Sequence, residues 1–244
     1  MIFAAEALAL ERHEEPNDAS MPRTTHATVL FADMRGYTGL AEVLAPARVL
    51  PLLFEFFAIL TRVTAAYGGE VFHMAGDGMM AGFGVDDPHR GGSREALGAG
   101  NAMLHRFAVV ASRWRRELRI STGIGVGIHL GEVALGYLGP PGKKGLTLVG
   151  DTTNVASLLC SHARAGEVLF SSTVAEALIA DGGRLPATIG PVSILKIPRS
   201  ILHGRRGVLD FWCIPALERL PLHTSTDRAV DPVERRYLGF NTGA

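Results

Sequence analysis

The sequence predicts an α+β fold, a ferredoxin-like βαββαβ domain with a mixed central sheet. Stretches of strand-forming and helix-forming residues follow one another in the order βαββαββ, with further short elements after them. Crossovers of this kind give a mixed sheet with helices on one face. The length of 244 residues suits one domain with extensions. We therefore expect a core domain over residues 25–214, preceded by an N-terminal helix and linker (1–24) and followed by a tail (215–244).

The first half of the predicted domain contains a central strand, a long helix and a hairpin. Residues Thr28 to Ala32 are apolar nearly throughout, as in a strand that is covered on both faces. From Pro46 to Tyr67, apolar residues recur at helical spacing until a pair of glycines ends the helix. Glu70 to Met74 and Met79 to Phe83 then form two strands around Asp77, which we expect to pair as a hairpin.

The second half begins with a helix and continues with strands. The helix is predicted from about Arg94 to Leu118, and a strand from Ser121 to Leu130 follows it. Gly131 and Glu132 are expected to turn the chain into Val133 to Tyr137, which makes a second hairpin. The remaining elements are a short strand Thr147–Val149, a helix that carries Asn154, a strand Glu167–Ser171, a helix Ser172–Ala180 and a closing strand Val208–Ile214.

The two ends of the chain carry less information. Residues 1–22 are typical of one short amphipathic helix followed by a polar linker. Two interpretations stay open for them, a mobile tail or a helix that packs on a partner subunit. After Pro215 the sequence is polar and contains no recognisable motif.

Composition gives no reason to expect nucleic-acid binding, a membrane span, a signal peptide or a disulfide. Lys plus Arg equals Asp plus Glu at 24 each, so charge gives no reason to expect nucleic-acid or membrane-surface binding. The longest apolar run contains Glu55 and falls short of the roughly 20 apolar residues of a membrane span. The N-terminus lacks a basic region and is interrupted by Glu6, which is not typical of a signal peptide. Cys160 and Cys213 are expected to be reduced, buried thiols of a cytoplasmic protein.

Two aspartates stand at the ends of predicted strands. Asp33 ends a run of β-forming residues, and Asp77 lies in the turn of the first hairpin. Two buried carboxylates repel one another unless a divalent cation lies between them, and hard oxygen ligands suit Mg²⁺ or Mn²⁺, the ions of phosphate chemistry. Each aspartate taken alone has a simpler interpretation, Asp33 as an N-cap or turn residue and Asp77 as part of an ordinary hairpin turn.

A third stretch, from Leu146 to Leu159, makes the metal-site hypothesis stronger. Its strand breaks at Gly150, Asp151 is placed to cap the next helix, and Asn154 is expected to face inward on the first helical turn. Four motifs now occur in order along the chain: FADMRGYT, AGDGMMAGFG, GVGIHLGEVALGYLG and TLVGDTTNVAS. Together they resemble the catalytic domain of the class III nucleotidyl cyclases, the adenylate and guanylate cyclase superfamily. This resemblance covers most of the chain, from about residue 27 to 214.

The resemblance implies a lyase that converts a nucleoside triphosphate to a 3′,5′-cyclic nucleotide and pyrophosphate. In the family, aspartates at the positions of Asp33 and Asp77 bridge two ions, Mn²⁺ or Mg²⁺, and the backbone carbonyl at the position of Met34 adds a ligand. One ion lowers the pKa of the 3′ hydroxyl and the other neutralises the leaving phosphates. Asn154 matches the asparagine that orients the ribose. Because the family builds each site across a dimer interface, the resemblance also implies a homodimer with two equivalent sites.

A further set of residues is expected to bind the substrate. The turn from Met34 to Thr38 offers backbone amides to the triphosphate, as phosphate-binding turns do. The resemblance also assigns the purine-selecting position to His73, a second base position to Thr147 and a phosphate-binding position to His203. The complete predicted set is Phe31, Arg35, Gly36, Tyr37, Thr38, His73, Thr147 and His203.

Three positions depart from the family pattern. His73 and His203 stand where the family has lysines, and Leu158 replaces an arginine that stabilises the transition state. His73 has two interpretations, a core histidine on the inner face of the hairpin or a neutral ring that suits a smaller pyrimidine base. Loss of a preorganised donor at position 158 commonly costs about 10²–10³ in rate. Candidate replacements for the missing cation are Lys143, Lys144, Arg35 and Arg205.

Three functions are compatible with this pattern. The preferred one is a pyrimidine cyclase that makes cUMP from UTP, or cCMP from CTP, resembling the stand-alone cyclases of bacterial antiphage signalling, with a separate cyclic-nucleotide-binding effector as the reader of the product. The second is an adenylate cyclase that makes cAMP, which Thr147 allows. The third is a catalytically degenerate nucleotide-binding dimerisation domain, which Leu158 and His203 favour.

Overall fold

The computed structural model describes residues 22–87, 91–140, 143–181, 188–189, 192–193, 195–197 and 211–214. The strands are β1 (Arg23–Arg35), β2 (Glu70–Ala75), β3 (Gly78–Phe83), β4 (Gly123–Leu138), β5 (Gly145–Val149), β6 (Glu167–Ser171), β7 (Thr188–Ile189), β8 (Val192–Ser193), β9 (Leu195–Ile197) and β10 (Phe211–Ile214). The helices are α1 (Tyr37–Val43), α2 (Pro46–Ala66), α3 (Ser93–Leu118), α4 (Asp151–His162) and α5 (Ser172–Ala180). The helix α1 follows the Gly36 turn and was not predicted from the sequence.

The described strands form one large mixed sheet and one small hairpin. The large sheet has the order β2-β3-β1-β4-β6-β10-β9, and β5 pairs with β4 outside this path. The β4–β6 pair is parallel, and the other pairs are antiparallel. Strands β7 and β8 pair separately. The α+β class with a mixed central sheet is therefore confirmed.

The predicted hairpin at Gly131 and Glu132 is wrong, because β4 is a single strand of 16 residues. It pairs without a break along the whole of β1, and residues 131 and 132 lie opposite Ala27 and His26. Position 131 needs a glycine inside this strand, because a side chain there would collide with Thr152 of α4. The glycines therefore mark close contact between a strand and a helix rather than a turn.

Helices cover both faces of the sheet, which corrects the expected arrangement with helices on one face. On the first face, α2, α3 and α5 pack on side chains of β1, β3, β4 and β6, with Phe56, Phe107 and Trp114 among the fully buried residues. On the second face, β5 and α4 cover a smaller cluster that includes Met80 and Leu148. The glycines of β4 explain the position of α4, because only a strand face without side chains lets the helix backbone approach so closely.

The helix α2 is long and apolar enough, by length and composition alone, to cross a membrane. One side of the helix packs in the core, whereas Leu50 and Phe54 are exposed. Phe56 and Leu60 are fully buried, and Glu55 forms an ion pair with Arg113 and accepts a hydrogen bond of 3.1 Å from the indole of Trp114. In the residues that the structure describes, this single helix is weak support for a membrane protein, and none is indicated.

The two cysteines are free and buried, as the sequence predicts. Burial raises the pKa of the Cys160 thiol to about 11 and raises that of Cys213 further. Both thiols therefore stay protonated at neutral pH and act as small apolar core residues.

Candidate active site

The central strands bring the two predicted metal-binding aspartates together. Asp33, on β1, lies directly opposite Gly78 of β3, and the backbone amide of Met34 donates a hydrogen bond of 3.0 Å to the carbonyl of Asp77. A Cβ at position 78 would lie 3.3 Å from Oδ1 of Asp33, so glycine leaves this carboxylate room to approach the hairpin. Residues far apart in the sequence thus place two carboxylates at one end of the sheet.

Neither carboxylate is easily ionised in this position. Burial raises the pKa of Asp33, although the neighbouring Arg35 opposes the shift. Burial and then the charge of Asp33 raise the pKa of Asp77 to about 6. The side chain of Asp33 is still 37% exposed, so solvent and ligands can reach it. Two accessible carboxylates that burial disfavours as charged groups, one of which also raises the pKa of the other, fit a divalent cation.

The protein ligands for such a cation are few. In the described ranges, no group of three or more His, Cys, Asp or Glu side chains is placed to hold a metal. Asp33 and Asp77 would therefore be joined by the backbone carbonyl of Met34, substrate phosphates and water. This is the ligand set that Mg²⁺ commonly has in phosphate-processing sites, where one or two carboxylates suffice.

Arg35 differs from its predicted role in substrate binding. Its guanidinium turns inward, forms an ion pair with Asp33, and donates to the carbonyl oxygens of Cys160 and Ala163, the latter at 2.9 Å from Nε. Only 18% of the side chain is exposed. All three nitrogens have partners inside the chain, so this arginine is not presented to a triphosphate.

The turn after Asp33 begins a helix. Gly36 has a left-handed backbone (φ 84°) and is the N-cap of α1, which starts at Tyr37. The first backbone amides of a helix have no partner inside it, and here they lie just beyond the strand end that carries Asp33. Thr38 is exposed, and the ring of Tyr37 packs on the edge of the core. Triphosphate binding by this turn stays a prediction that its geometry allows.

A β-bulge decides where His73 lies. Val71 pairs with Ala81, but the next paired position is His73 opposite Met80. The extra residue places His73 on the second face of the sheet, with Met80, instead of on the α2 face. The side chain is exposed, so the interpretation of His73 as a core histidine is wrong.

The other predicted base-binding positions lie on β5 and β1. Strand β5 lies beside β2, and Thr147 is half-buried opposite Gly136. Phe31 of β1 is also half-buried and packs on the second-face cluster together with Phe72. Phe31 and His73 therefore lie on the same face of the sheet, because both pair in register with Met80. Thr147 lies on the opposite side of β5 from Leu146 and Leu148, which pack on the second-face cluster.

The helix α4 carries Asn154 on its outer side. Its N-cap is Gly150 and not Asp151, which lies in the first turn of the helix. The buried side of α4 faces β4, whereas Asn154 is exposed, so the prediction that it faces inward is wrong for a single chain. Leu158 follows one turn later and is half-buried.

The aspartates lie near the other end of α4. Arg35 joins Asp33 to Ala163, the residue that ends this helix. Asn154 precedes Ala163 by nine residues, about 13 Å along a helix axis. A single chain therefore separates Asn154 from the aspartates, which lie at opposite ends of one helix.

Residues 19–194 match the family model described as the adenylate and guanylate cyclase catalytic domain, more than half of the chain. The chain belongs to this family. This cyclase domain is 33% identical over 142 residues to an adenylate cyclase of Anabaena cylindrica, covering 55% of this chain and 26% of that protein. It is 29% identical over 166 residues to the germination-specific adenylate cyclase of Dictyostelium discoideum, covering 66% and 18%. The chain thus spans about a quarter or less of the length of these relatives.

Solved cyclase structures share the fold. The adenylyl cyclase CyaB from P. aeruginosa superposes with a TM-score of 0.70 at 24% identity, covering 82% of this chain and 98% of that chain. The guanylyl cyclase Cya2 gives a TM-score of 0.70 at 23% identity, covering 84% and 98%. Adenylyl and guanylyl cyclases therefore both have the architecture of this domain, and the fold alone does not assign its substrate.

Some predicted site residues of the cyclase domain lie outside the described part of the chain. These are His203 and Arg205. Residues 1–21 and the C-terminal tail also lie outside the described residues.

Sequence reasoning missed Gly125, against which the guanidinium of Arg35 lies. The signal was present, because glycine recurs at every second position from 123 to 127. In a strand this period leaves one face bare, which indicates close contact on that face.

Proposed function

We propose that this cyclase domain converts a nucleoside triphosphate to a 3′,5′-cyclic nucleotide and pyrophosphate with two divalent ions, Mg²⁺ or Mn²⁺, per site. The observation that carries the proposal is the approach of Asp33 to Asp77 at one end of the sheet. Burial raises the pKa of both carboxyl groups, and the charge of Asp33 adds to the shift at Asp77, which disfavours two charges in an empty site and suits a cation. Family membership supports the same reaction.

The chain's own groups would mainly hold and orient the substrate. The 3′ hydroxyl and the α-phosphorus belong to one molecule, so bending it into a reactive conformation is a large part of catalysis. Asp33 and Asp77 would hold the ions, and the turn from Gly36 to Thr38 would offer amides to the phosphates. The ions, when bound, lower the pKa of the hydroxyl and neutralise the leaving pyrophosphate.

A second copy of the chain would complete each site. Asn154 is exposed and stands about 13 Å along α4 from the helix end that contacts Arg35. An asparagine that orients the ribose must lie beside the metal site, and in a single chain it does not. An isologous homodimer would bring the α4 of one protomer to the aspartates of the other and would create two equivalent sites.

For the base we propose a pyrimidine, with UTP preferred over CTP. His73 is exposed on the sheet face that also carries Phe31, where it can offer one donor and one acceptor to a base. The family lysine that would select a purine is absent from this position. The cyclic pyrimidine nucleotide would act in the cytoplasm as a second messenger of antiviral defence, read by a separate effector.

An adenylate cyclase is the second candidate. It is favoured by the adenylate cyclases among the named relatives, and Thr147 is compatible with adenine. A catalytically degenerate domain is the third, favoured by Leu158. Arg35 has partners inside the chain, so the described replacements for the missing arginine are Lys143 and Lys144, both exposed on the loop between β4 and β5.

One assay separates the three candidates. The pure protein is incubated with ATP, GTP, CTP or UTP in the presence of Mn²⁺, and the products are identified by mass. We expect cyclic UMP as the main product. Cyclic AMP would establish the second candidate, and no product from any of the four would establish the third. The Asp33→Ala variant, prepared in parallel, controls for contaminating cyclases.

A further inference from the structure

The guanidinium of Arg35 has hydrogen-bond or ion-pair partners on three sides. Nε donates to the carbonyl of Ala163 at 2.9 Å, one terminal nitrogen donates to the carbonyl of Cys160, and the other pairs with Oδ2 of Asp33. Two of these partners belong to the C-terminal end of α4, where the helix carbonyls carry partial negative charge. The helix therefore holds the arginine whether or not Asp33 is charged.

The fourth side is the bare surface of β4. A Cβ at position 125 would collide with the guanidinium of Arg35, and its three nearest atoms would all belong to that group. Gly125 lies directly opposite Asp33 in the β1–β4 ladder. The missing side chain thus provides the space in which Arg35 reaches across from Asp33 to the end of α4.

The two carboxylate oxygens of Asp33 have different surroundings. Oδ2 is bound by Arg35, whereas Oδ1 is directed towards Gly78, at the start of β3 and next to Asp77. Held at one oxygen, the carboxylate cannot rotate freely, and its other oxygen lies towards the start of β3, the residue after Asp77. A ligand that is already oriented loses less entropy when it binds a metal.

We propose that Arg35 is a positioning residue of the metal site: held by α4 on the bare surface at Gly125, it fixes Asp33 so that Oδ1 is presented to a divalent cation beside Asp77. The proposal rests on the proposed function only in taking Asp33 as a metal ligand. It replaces the predicted contact between Arg35 and substrate, and it links the metal site to the helix that carries Asn154 at its other end.

The test is a Mn²⁺ titration without nucleotide, in which the loss of free Mn²⁺ signal gives the Kd. Outer-shell partners of metal ligands typically contribute 10–100-fold to affinity, so Arg35→Ala is expected to raise the Kd for Mn²⁺ about tenfold or more. Gly125→Ala should have a similar effect while retaining the charge, because the added methyl displaces the guanidinium. Gly145→Ala is the matched control, since a Cβ there has open space, and its Kd should equal that of the wild type.

Arg35→Lys sharpens the result. An ammonium can pair with Asp33 but cannot span two carbonyls as a planar guanidinium does, so an intermediate Kd is expected. A Kd unchanged in both Arg35→Ala and Gly125→Ala overturns the proposal. Tighter binding overturns it as well, because Arg35 would then compete with the cation. No step of the titration needs turnover, so a protein that fails to cyclise any nucleotide contradicts the proposed function and leaves this test valid.

If Arg35→Ala does not fold, Gly125→Ala decides alone, because only the far end of a flexible side chain must move to accommodate it. Steady-state kinetics provide a second readout. At saturating Mn²⁺, a positioning role lowers kcat and leaves the KM for nucleotide nearly unchanged, whereas a triphosphate-binding role raises KM. A raised KM with unchanged Mn²⁺ affinity would assign Arg35 to the substrate and reject the positioning role.

Discussion

The two halves of the candidate site are built in opposite ways. At the end of β1 and β3, Asp33 and Asp77 are held by strand pairing, by the hydrogen bond from Met34 to Asp77, and by Arg35. On α4, Asn154 is exposed and has no such surroundings. In the proposed mechanism one chain would thus complete the metal half, which contains Asp33 and Asp77, whereas the ribose half, which contains Asn154, is presented outward. This difference indicates which residues act within a chain and which require a second copy.

The largest effect is expected at the metal half. Asp77→Ala removes one of the two carboxylates, and product formation from any triphosphate should fall below detection by mass spectrometry, because the remaining protein ligands are too few to hold the ions. The melting temperature should stay the same or rise, since a repulsion with Asp33 is removed.

Asp86→Ala is the control for this variant. Asp86 is an exposed aspartate that pairs with Arg23 at 2.5 Å, away from the other two carboxylates, and its loss should leave turnover unchanged. Retained turnover in Asp77→Ala would remove Asp77 from the mechanism.

The ribose half is expected to contribute less. Asn154→Ala removes one polar group that acts on the substrate during attack, which typically costs about 10²–10³ in kcat. Mn²⁺ binding without nucleotide should be unaffected, because the metal half of each chain is intact. Weakened Mn²⁺ binding would contradict the separation of the two halves.

Mixing the two inactive variants tests the separation directly. If each site combines the aspartates of one protomer with the α4 of the other, a heterodimer of Asp77→Ala and Asn154→Ala contains one intact site of two. Random reassociation of an equal mixture should therefore restore about a quarter of wild-type activity. Recovery that stays at the level of the unmixed variants would mean that one chain forms the whole site.

The metal half was predictable from sequence because its signals are local. Asp33 and Asp77 each end a run of strand-forming residues, and the β2–β3 hairpin around Asp77 formed as expected. The continuity of β4 was not predictable in this way. Gly131 and Glu132 look like a turn until the length of β1 is known, because the partner strand decides whether a glycine bends the chain or pairs.

The position of His73 required the structure for a similar reason. Alternation along β2 puts it on the α2 face, and only the bulge between Val71 and His73 moves it to the other face. The inward turn of Arg35 was also hidden, since its partners Cys160 and Ala163 lie more than a hundred residues away in the sequence. Contacts between residues far apart in the sequence, rather than residue type, determined the position of His73 and the orientation of Arg35.

A smaller effect is expected at the base position. His73→Lys restores the residue that the family uses to select a purine, and the ratio of kcat/KM for ATP to that for UTP should rise by about tenfold, the scale of one polar contact to a base. Because His73 is exposed on an edge strand, the fold should tolerate the change. An unchanged ratio would mean that His73 does not face the base.

The smallest effect concerns stability in the absence of metal. The pKa of Asp77 is about 6 in the folded protein, above its ordinary value of 3.8, so the folded state binds more protons than the unfolded state between these values. The contribution of Asp77 to the free energy of unfolding is therefore largest below pH 4 and is lost as the pH rises to about 6. In Asp77→Asn this pH dependence of the free energy of unfolding should be absent. As the pH rises from about 4 to about 6, the variant should therefore become more stable relative to the wild type, as measured by urea denaturation.

Added Mn²⁺ at pH 7 should stabilise the wild type and not the variant, because only the ionised pair attracts a cation. Equal pH dependence in both proteins would mean that neither burial nor the charge of Asp33 raises the pKa of Asp77, and the contrast between the two aspartates and the exposed Asn154 would lose its electrostatic basis.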